Sequence, residues 1–447
     1  MNSSSQPKYV ELLREFSIPL LLGVVVALIV ANVDYPLYDK LVNGTYSLIT
    51  GEEYVPHGSH ANSENGDASG HDQKGQPHAG ESAGETSESS VGGEEHSQAP
   101  WKHFATLHFI INDIFMVIFF GIATKEITES CLPGGALNPP AKAVNPLLGT
   151  LGGVLGPVGV YLALNTVIGD GTWTKGWGIP TATDIALAWL VARMVFGKGH
   201  PAISFLLLLA VADDGIGLGI IAFAYPDPSL PTEWIKALWI VPGMGVAFAL
   251  RKLNVRHWIP YVLAGGGFSW WGLYSAHLHP ALALVPIIPF LPGPKRDLGM
   301  FTEEPGSEEE QNPLDHFEHD LKRLVDFGLF FFAFANAGVQ FSNINNLTWI
   351  VLLSLLIGKT VGITLFSYVA TLVGFPLPTG MRFKHLVVAG VVAGLGLTVA
   401  LFVAGQAFQG TMELELQGAA KMGALFSAGA AIVAFMLGRV LGVKGKK

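Results

Sequence analysis

The chain has 447 residues, half of them hydrophobic and only 14% of them Asp, Glu, Lys or Arg, with a formal net charge of −9. Soluble domains carry about 25% charged residues, and the mean hydropathy here is +0.43. An ordinary soluble domain is therefore excluded, and the single cysteine, Cys131, excludes an intrachain disulfide.

An apolar run of about 18 residues or more is long enough to cross a bilayer as a helix. Twelve such runs occur, at roughly 17–35, 103–124, 145–168, 177–196, 202–225, 234–250, 257–274, 276–293, 325–341, 349–373, 386–408 and 422–442. The eighth is the weakest, because it holds His277, His279 and four prolines. The predicted fold is an all-α polytopic membrane protein of about twelve transmembrane helices. The first run lacks a clear small-residue cleavage site, so it reads as a retained helix.

With an even number of helices both termini share a side. Nineteen of the 26 Lys and Arg residues fall on that side, and six fall opposite: Lys40, Lys74, Lys102, Lys175, Lys236 and Lys421. Cations collect on the cytoplasmic side, so both termini are placed there. The remaining cation, Lys359, lies about midway along the tenth run.

Along the chain this gives five regions: 1–50 with the first helix, 51–100 as an external loop, 101–296 with helices two to eight, 297–324 as an acidic cytoplasmic linker, and 325–447 with the last four helices. Residues 51–100 contain ten Asp or Glu, one Lys and five His. With hardly any large apolar residue the stretch cannot bury a core and is expected to be disordered. Its histidines (57, 60, 71, 78 and 96) match no structural zinc spacing, so a solvated spacer is the preferred reading over a metal- or pH-responsive loop.

A charge at mid-bilayer costs at least about 2.5–3.5 kcal/mol on insertion scales, and such groups usually mark ion pathways. The second run, "HFIINDIFMVIFFG", carries a peripheral one, Asp113. The fourth, "GWGIPTATDIALAW", carries Asp184 behind Pro180 and two β-branched threonines, which argues for an interrupted helix. An aspartate there neutralises the positive ends of half-helix N-termini, unless it is simply a helix N-cap near the outer surface. Thr183 beside it offers oxygen to a hard cation.

The fifth run, "FLLLLAVADDGIGLGIIAFAY", places Asp213 and Asp214 side by side at its centre. Successive helical residues point about 100° apart, so the two carboxylates cannot face one partner. One can pair with a cation while the other faces a water-filled cavity, and together they titrate as a coupled pair. A carboxylate that holds either a proton or a small metal cation is the minimum machinery of exchange. Lys359, in "LLSLLIGKTVGITLFSY", is the natural partner of Asp213. A lone structural Asp–Lys pair would not require three aspartates. In the eleventh run "GLGLTVAL" loosely echoes "PTATDIAL", so helices 3–5 and 10–12 are expected to be inverted repeats that cross at two interrupted helices, the fourth and the eleventh.

From about residue 103 to 440 the chain resembles the NhaA-type sodium/proton antiporters. The resemblance rests on "INDIFMVIFFGI" (111–122), "IPTATDIALA" (179–188), "LLLAVADDGIGLGIIAFAY" (207–225), "FFAFANAGV" (331–339), "LLIGKTVGITLF" (355–366) and "GLGLTVALFVAG" (394–405). It implies electrogenic exchange of Na+ or Li+ for protons by alternating access. By position, Asp214 matches the family's principal cation-binding aspartate and Asp213 the neighbour that pairs with the membrane lysine, here Lys359. Thr183 and Asp184 match the polar pair at the crossing, and Asn336 falls in a structural region. The resemblance also implies a bacterial inner membrane location and allows a homodimer.

Two departures stand out. After "FFG" the family shows "GLEVKRE", associated with pH regulation, where this chain reads "GIATKEITES". Ala123 and Ile127 stand where glutamates are expected, with Glu126 and Glu129 close by. The external loop is also longer than usual.

The expected activity is thus secondary antiport of Na+ (or Li+) against H+, with Asp213 and Asp214 as the metal-cation ligands. No enzymatic activity, organic cofactor or nucleic-acid partner is expected. Two rival readings remain: a sodium-coupled symporter of a small organic anion, which would need more polar groups at the crossing, and a sensor whose functional part is the His-rich loop.

Overall fold

The computed structural model describes residues 18–45, 47, 51, 106–133, 135, 137, 138, 140–169, 171–197, 199–226, 231–293, 312–409 and 413–443. Most of the 51–100 loop, the first part of the 297–324 linker and both chain ends lie outside the described residues. Among the described residues every regular element is helical and there is no strand.

Chain order gives α1 (Ile18–Val33) and the short α2 (Tyr35–Val42), then α3 (Leu107–Ser130) and α4 (Pro140–Ile168). A 3₁₀ segment, Thr174–Thr181, leads to α5 (Ile185–Phe196), followed by α6 (Pro201–Ala224). α7 (Ile240–Lys252) and α8 (Gly266–Ser275) come next. The second half holds α9 (Pro313–Ala337), α10 (Asn346–Leu372), α11 (Phe383–Ala393), α12 (Leu397–Ala407) and α13 (Leu414–Val440). Five of these are individually long and apolar enough to cross a membrane: α3, α4, α6, α10 and α13. Two bent pairs bring the number to seven. The chain is a multi-pass helical membrane protein.

Both bent pairs sit where the sequence places interruptions. Thr174–Thr181 and α5 meet at 49°, and α11 and α12 meet at 48°. In the first, Pro180 supplies no N–H, and Ala182 at the junction is extended (φ −88°, ψ 158°). In the second, Gly394 and Gly396 stand in the gap, where the chain must turn against its neighbour: a Cβ on Gly394 would lie 2.9 Å from Leu355 O.

Three expectations change. Residues 276–293, the eighth predicted helix, form turns and two short 3₁₀ pieces, Pro280–Leu282 and Ile288–Phe290. Pro280, Pro286, Pro289 and Pro292 remove four donors that a regular helix would need, yet Leu282, Leu284, Ile287 and Ile288 in the same segment are buried. The ninth helix starts at Pro313, so the end of the acidic stretch is helical. Lys421, counted among the external cations, lies inside α13 and is only 8% exposed, because the helix begins at Leu414 and not at the first strongly apolar residue.

The contact that positions the site is between α4 and α10. Without a hydrophobic drive between helices in lipid, close approach relies on small residues. Gly152 and Gly156 of α4 meet Gly358 and Gly362 of α10. A Cβ on Gly358 would lie 2.5 Å from Pro157 Cα, and one on Gly362 would meet Gly152 O directly and Gly156 Cα at 3.0 Å. Gly362→Val is therefore expected to push the helices apart, with an overpacking cost of about 1–3 kcal/mol or more. Thermal unfolding in detergent measures it, and an unchanged midpoint would show that the pair is loosely packed. Within α10, a π-turn at Ser354–Gly358 immediately precedes Lys359, a local widening often found at functional sites. α3 carries another at Ile110–Phe115, around Asp113.

Candidate functional site: an ion pair and a free carboxylate between two broken helices

The two helix breaks touch. Asp184 N–H donates to Leu395 O at 2.6 Å. Its carboxylate then caps both half-helices that start there: Oδ1 accepts from Leu187 N–H in α5 at 3.0 Å, and Oδ2 accepts from Thr398 N–H in α12 at 3.3 Å. The residue is an N-cap, but at 3% exposure it is buried and far from a surface cap. One anion placed between two positive helix ends offsets both. Gly396 N–H, also at the break, donates to Ser427 Oγ of α13 at 3.2 Å.

Thr183 and Lys359 connect this junction to α6. Lys359 Nζ donates to Asp213 Oδ2 and to Thr183 Oγ1, each at 2.5 Å. Thr183 Oγ1 has two acceptors in reach for its single proton, Asp213 Oδ2 at 2.7 Å and Ala393 O, the last residue of α11, at 3.0 Å. Both charged side chains of the Lys359–Asp213 pair are fully buried. The lysine on α10, the threonine in the first break, the carbonyl end of α11 and the aspartate on α6 thus form one hydrogen-bonded unit.

Asp214 stands apart from it. Among the described residues it makes no hydrogen bond or ion pair, and its Oδ1 is buried without a partner, as is Asp213 Oδ1. It lines a small cavity with Phe119, Phe120 and Ala123 of α3, Leu218 and Ile221 of α6, and Val399 of α12. An unpaired carboxylate in an apolar cavity is costly unless it takes up a proton or a cation. Ala123, where the resemblance leads one to expect glutamate, is part of the cavity wall. The arrangement supplies oxygen ligands only: carboxylates, a hydroxyl and backbone carbonyls, the donor set of a hard cation. Among the described residues no three His, Cys, Asp or Glu converge as a transition-metal site would require.

All five residues singled out from the sequence, Thr183, Asp184, Asp213, Asp214 and Lys359, are brought together. Asp113 is not part of the group. Asn336 donates to Asn112 Oδ1 at 3.0 Å and joins α9 to α3. The sequence reading missed a second charged cluster. Lys125 Nζ lies 2.6 Å from Glu129 Oε2 and 2.5 Å from Glu318 Oε2, and Lys322 reaches Glu318 Oε1 at 3.2 Å. Burial alone would push the Glu318 carboxyl up, but Lys125 and Lys322 outweigh it and hold it below the ordinary range. The available signal was the i, i+4 spacing of Lys125 with Glu129 and of Glu318 with Lys322. The pairing across helices had none.

Residues 89–441 match the family described as Na+/H+ antiporter 1. A Na+/H+ antiporter NhaA of Geobacter metallireducens is 54% identical over 438 residues, which cover 98% of this chain and 99% of that protein. Its namesake in Geobacter sulfurreducens is equally similar, at 54% over 438 residues with the same coverage. One from Desulfitobacterium hafniense is 51% identical over 445 residues, 99% of either chain. With the family match running through the broken helices, the buried ion pair and the free carboxylate, this chain belongs to the Na+/H+ antiporter 1 family.

Proposed function

We infer that the chain is a secondary antiporter that exchanges Na+ or Li+ for H+ across a membrane by alternating access. The observation that carries this is Asp214: a carboxylate with no partner, facing a cavity, next to an aspartate already neutralised by Lys359. Asp214 takes either a proton or a dehydrated cation, and competition between the two couples their movements. Asp213 Oδ1 on the preceding residue and Thr183 in the break offer further oxygen ligands. Cation arrival draws Asp213 towards the ion and loosens its bond to Lys359, which then releases a proton. Asp184 keeps the two half-helix ends together while the site changes its access.

In this reading residues 276–293 make one irregular pass, giving twelve passes with both termini in the cytoplasm. Helices α4–α6 and α10–α13 act as inverted repeats crossing at the two breaks. The chain resides in a bacterial inner membrane, surrounded by lipid, works without an organic cofactor, catalyses no bond chemistry and associates as a homodimer. The names of its relatives favour exchange over sodium-coupled uptake of an organic anion.

Reconstitution tests the reading. In liposomes with an imposed pH gradient and an internal pH dye, Na+ or Li+ added outside is expected to collapse the gradient. No response to either ion, from mildly acidic to alkaline pH, would overturn it.

A further inference from the structure

α12 is a half-helix held by charge at its start, where Asp184 accepts from Thr398 N–H. Its carbonyl end is also dressed by side chains of α13. Gln417 Nε2 donates to Gly405 O at 3.3 Å and to Phe408 O at 2.8 Å. One turn further along the same face comes Lys421. The glycine at 405 leaves room for it: a Cβ there would stand 3.9 Å from Lys421 Cε.

Lys421 is 8% exposed, and among the described residues it has no hydrogen-bond or ion-pair partner. Glu413, at the start of the same helix, is occupied by Lys175 at 2.9 Å. The undescribed residues between α12 and α13, Gly410, Thr411 and Met412, carry no charge. A buried ammonium costs several kcal/mol unless something offsets it. The nearby offset is the carbonyl end of α12, equivalent to roughly half a negative charge. The half-helix that borders the cation cavity through Val399 is therefore bracketed by an anion at its first turn and a cation at its last. Half a charge leaves part of the lysine's field uncancelled, and that field acts along α12 towards the site.

We propose that Lys421 is a positioning residue whose positive charge weakens cation binding at Asp214, setting the affinity at which the site releases its ion. The proposal rests on the antiporter reading. Gly405 lies eight residues after Leu397, about 12 Å along the helix at 1.5 Å per residue. At an effective dielectric of about 20, the remaining half charge at roughly 15 Å changes a binding constant about two- to threefold.

The test is the apparent KM for Na+ and the maximal exchange rate of the reconstituted full chain carrying Lys421→Met, Lys421→Gln or Lys421→Arg. Methionine keeps the length and loses the charge, glutamine is the second neutral variant should methionine not fold, and arginine keeps the charge. The expected result is a KM lowered about two- to threefold in the neutral variants, with the wild-type value in Lys421→Arg. A KM unchanged in a folded neutral variant, or lowered equally by Lys421→Arg, would overturn the proposal and leave the lysine as packing. Wild-type liposomes that show no Na+ response at all would instead sink the antiporter reading, so the two failures are distinguishable.

Discussion

Asp214→Asn abolishes Na+- and Li+-driven proton movement in sealed liposomes, while its thermal stability stays close to that of the wild type. The two halves of this expectation come from the same observation. Asp214 has no hydrogen bond or ion pair among the described residues, and one of its oxygens is buried without a partner. Asparagine is nearly isosteric, so little folding energy is lost. Relieving a buried unpaired carboxylate tends even to stabilise the fold. In the proposed mechanism transport depends on the carboxylate. Of the three aspartates at the helix breaks it is the one free to exchange a proton for a cation, since Asp184 is committed to Leu187 and Thr398 and Asp213 to Lys359 and Thr183. A contact between unit charges at about 4 Å is worth about 4 kcal/mol at an effective dielectric of about 20, roughly three orders of magnitude in cation affinity. Gradient-collapse assays with Na+ and Li+ read the activity, and thermal unfolding in detergent reads the fold. Substantial exchange by the variant would move the cation to Asp213 or Asp184 and dismantle the assignment.

Much of the site was legible because buried charge is rare in apolar sequence. Asp184, Asp213, Asp214 and Lys359 each announce themselves by standing in a run that otherwise wants lipid, and the pairing of Lys359 with Asp213 follows from one cation among several acids. The breaks were legible from Pro180 and from Gly394 and Gly396. What the sequence does not carry is the three-dimensional neighbourhood. Nothing in hydropathy says that Ala123 walls the Asp214 cavity or that Glu318 crosses from one helix to meet Lys125 on another. Two errors share a cause. Scanning for apolar runs treats a lysine near a run's end as loop and a proline-rich apolar run as helix. It therefore placed Lys421 outside its helix and drew a regular helix through four prolines.

The second large effect separates the ion pair from the free carboxylate. Lys359→Met is expected to destabilise the folded protein by about 3–5 kcal/mol, the cost of leaving one buried charge without its partner. Lys359 and Asp213 are fully buried and 2.5 Å apart, so bulk solvent does not reach either charge. The ammonium also donates to Thr183, and its loss loosens the link from the first break to α6. The double variant Lys359→Met/Asp213→Asn removes both charges and is expected to regain most of that stability, because a buried pair replaced by neutral groups of similar size is often close to neutral in cost. The loss in the single variant should shrink towards acidic pH, where a proton neutralises the stranded Asp213 carboxylate, whereas the double variant should show little such dependence. Unfolding midpoints of wild type, both single variants and the double variant at acidic and alkaline pH form the cycle that checks this. A single variant as stable as wild type would mean that the pair contributes nothing to the fold. A double variant as unstable as Lys359→Met would show that lost packing of the long lysine stem, and not stranded charge, is what the site cannot tolerate.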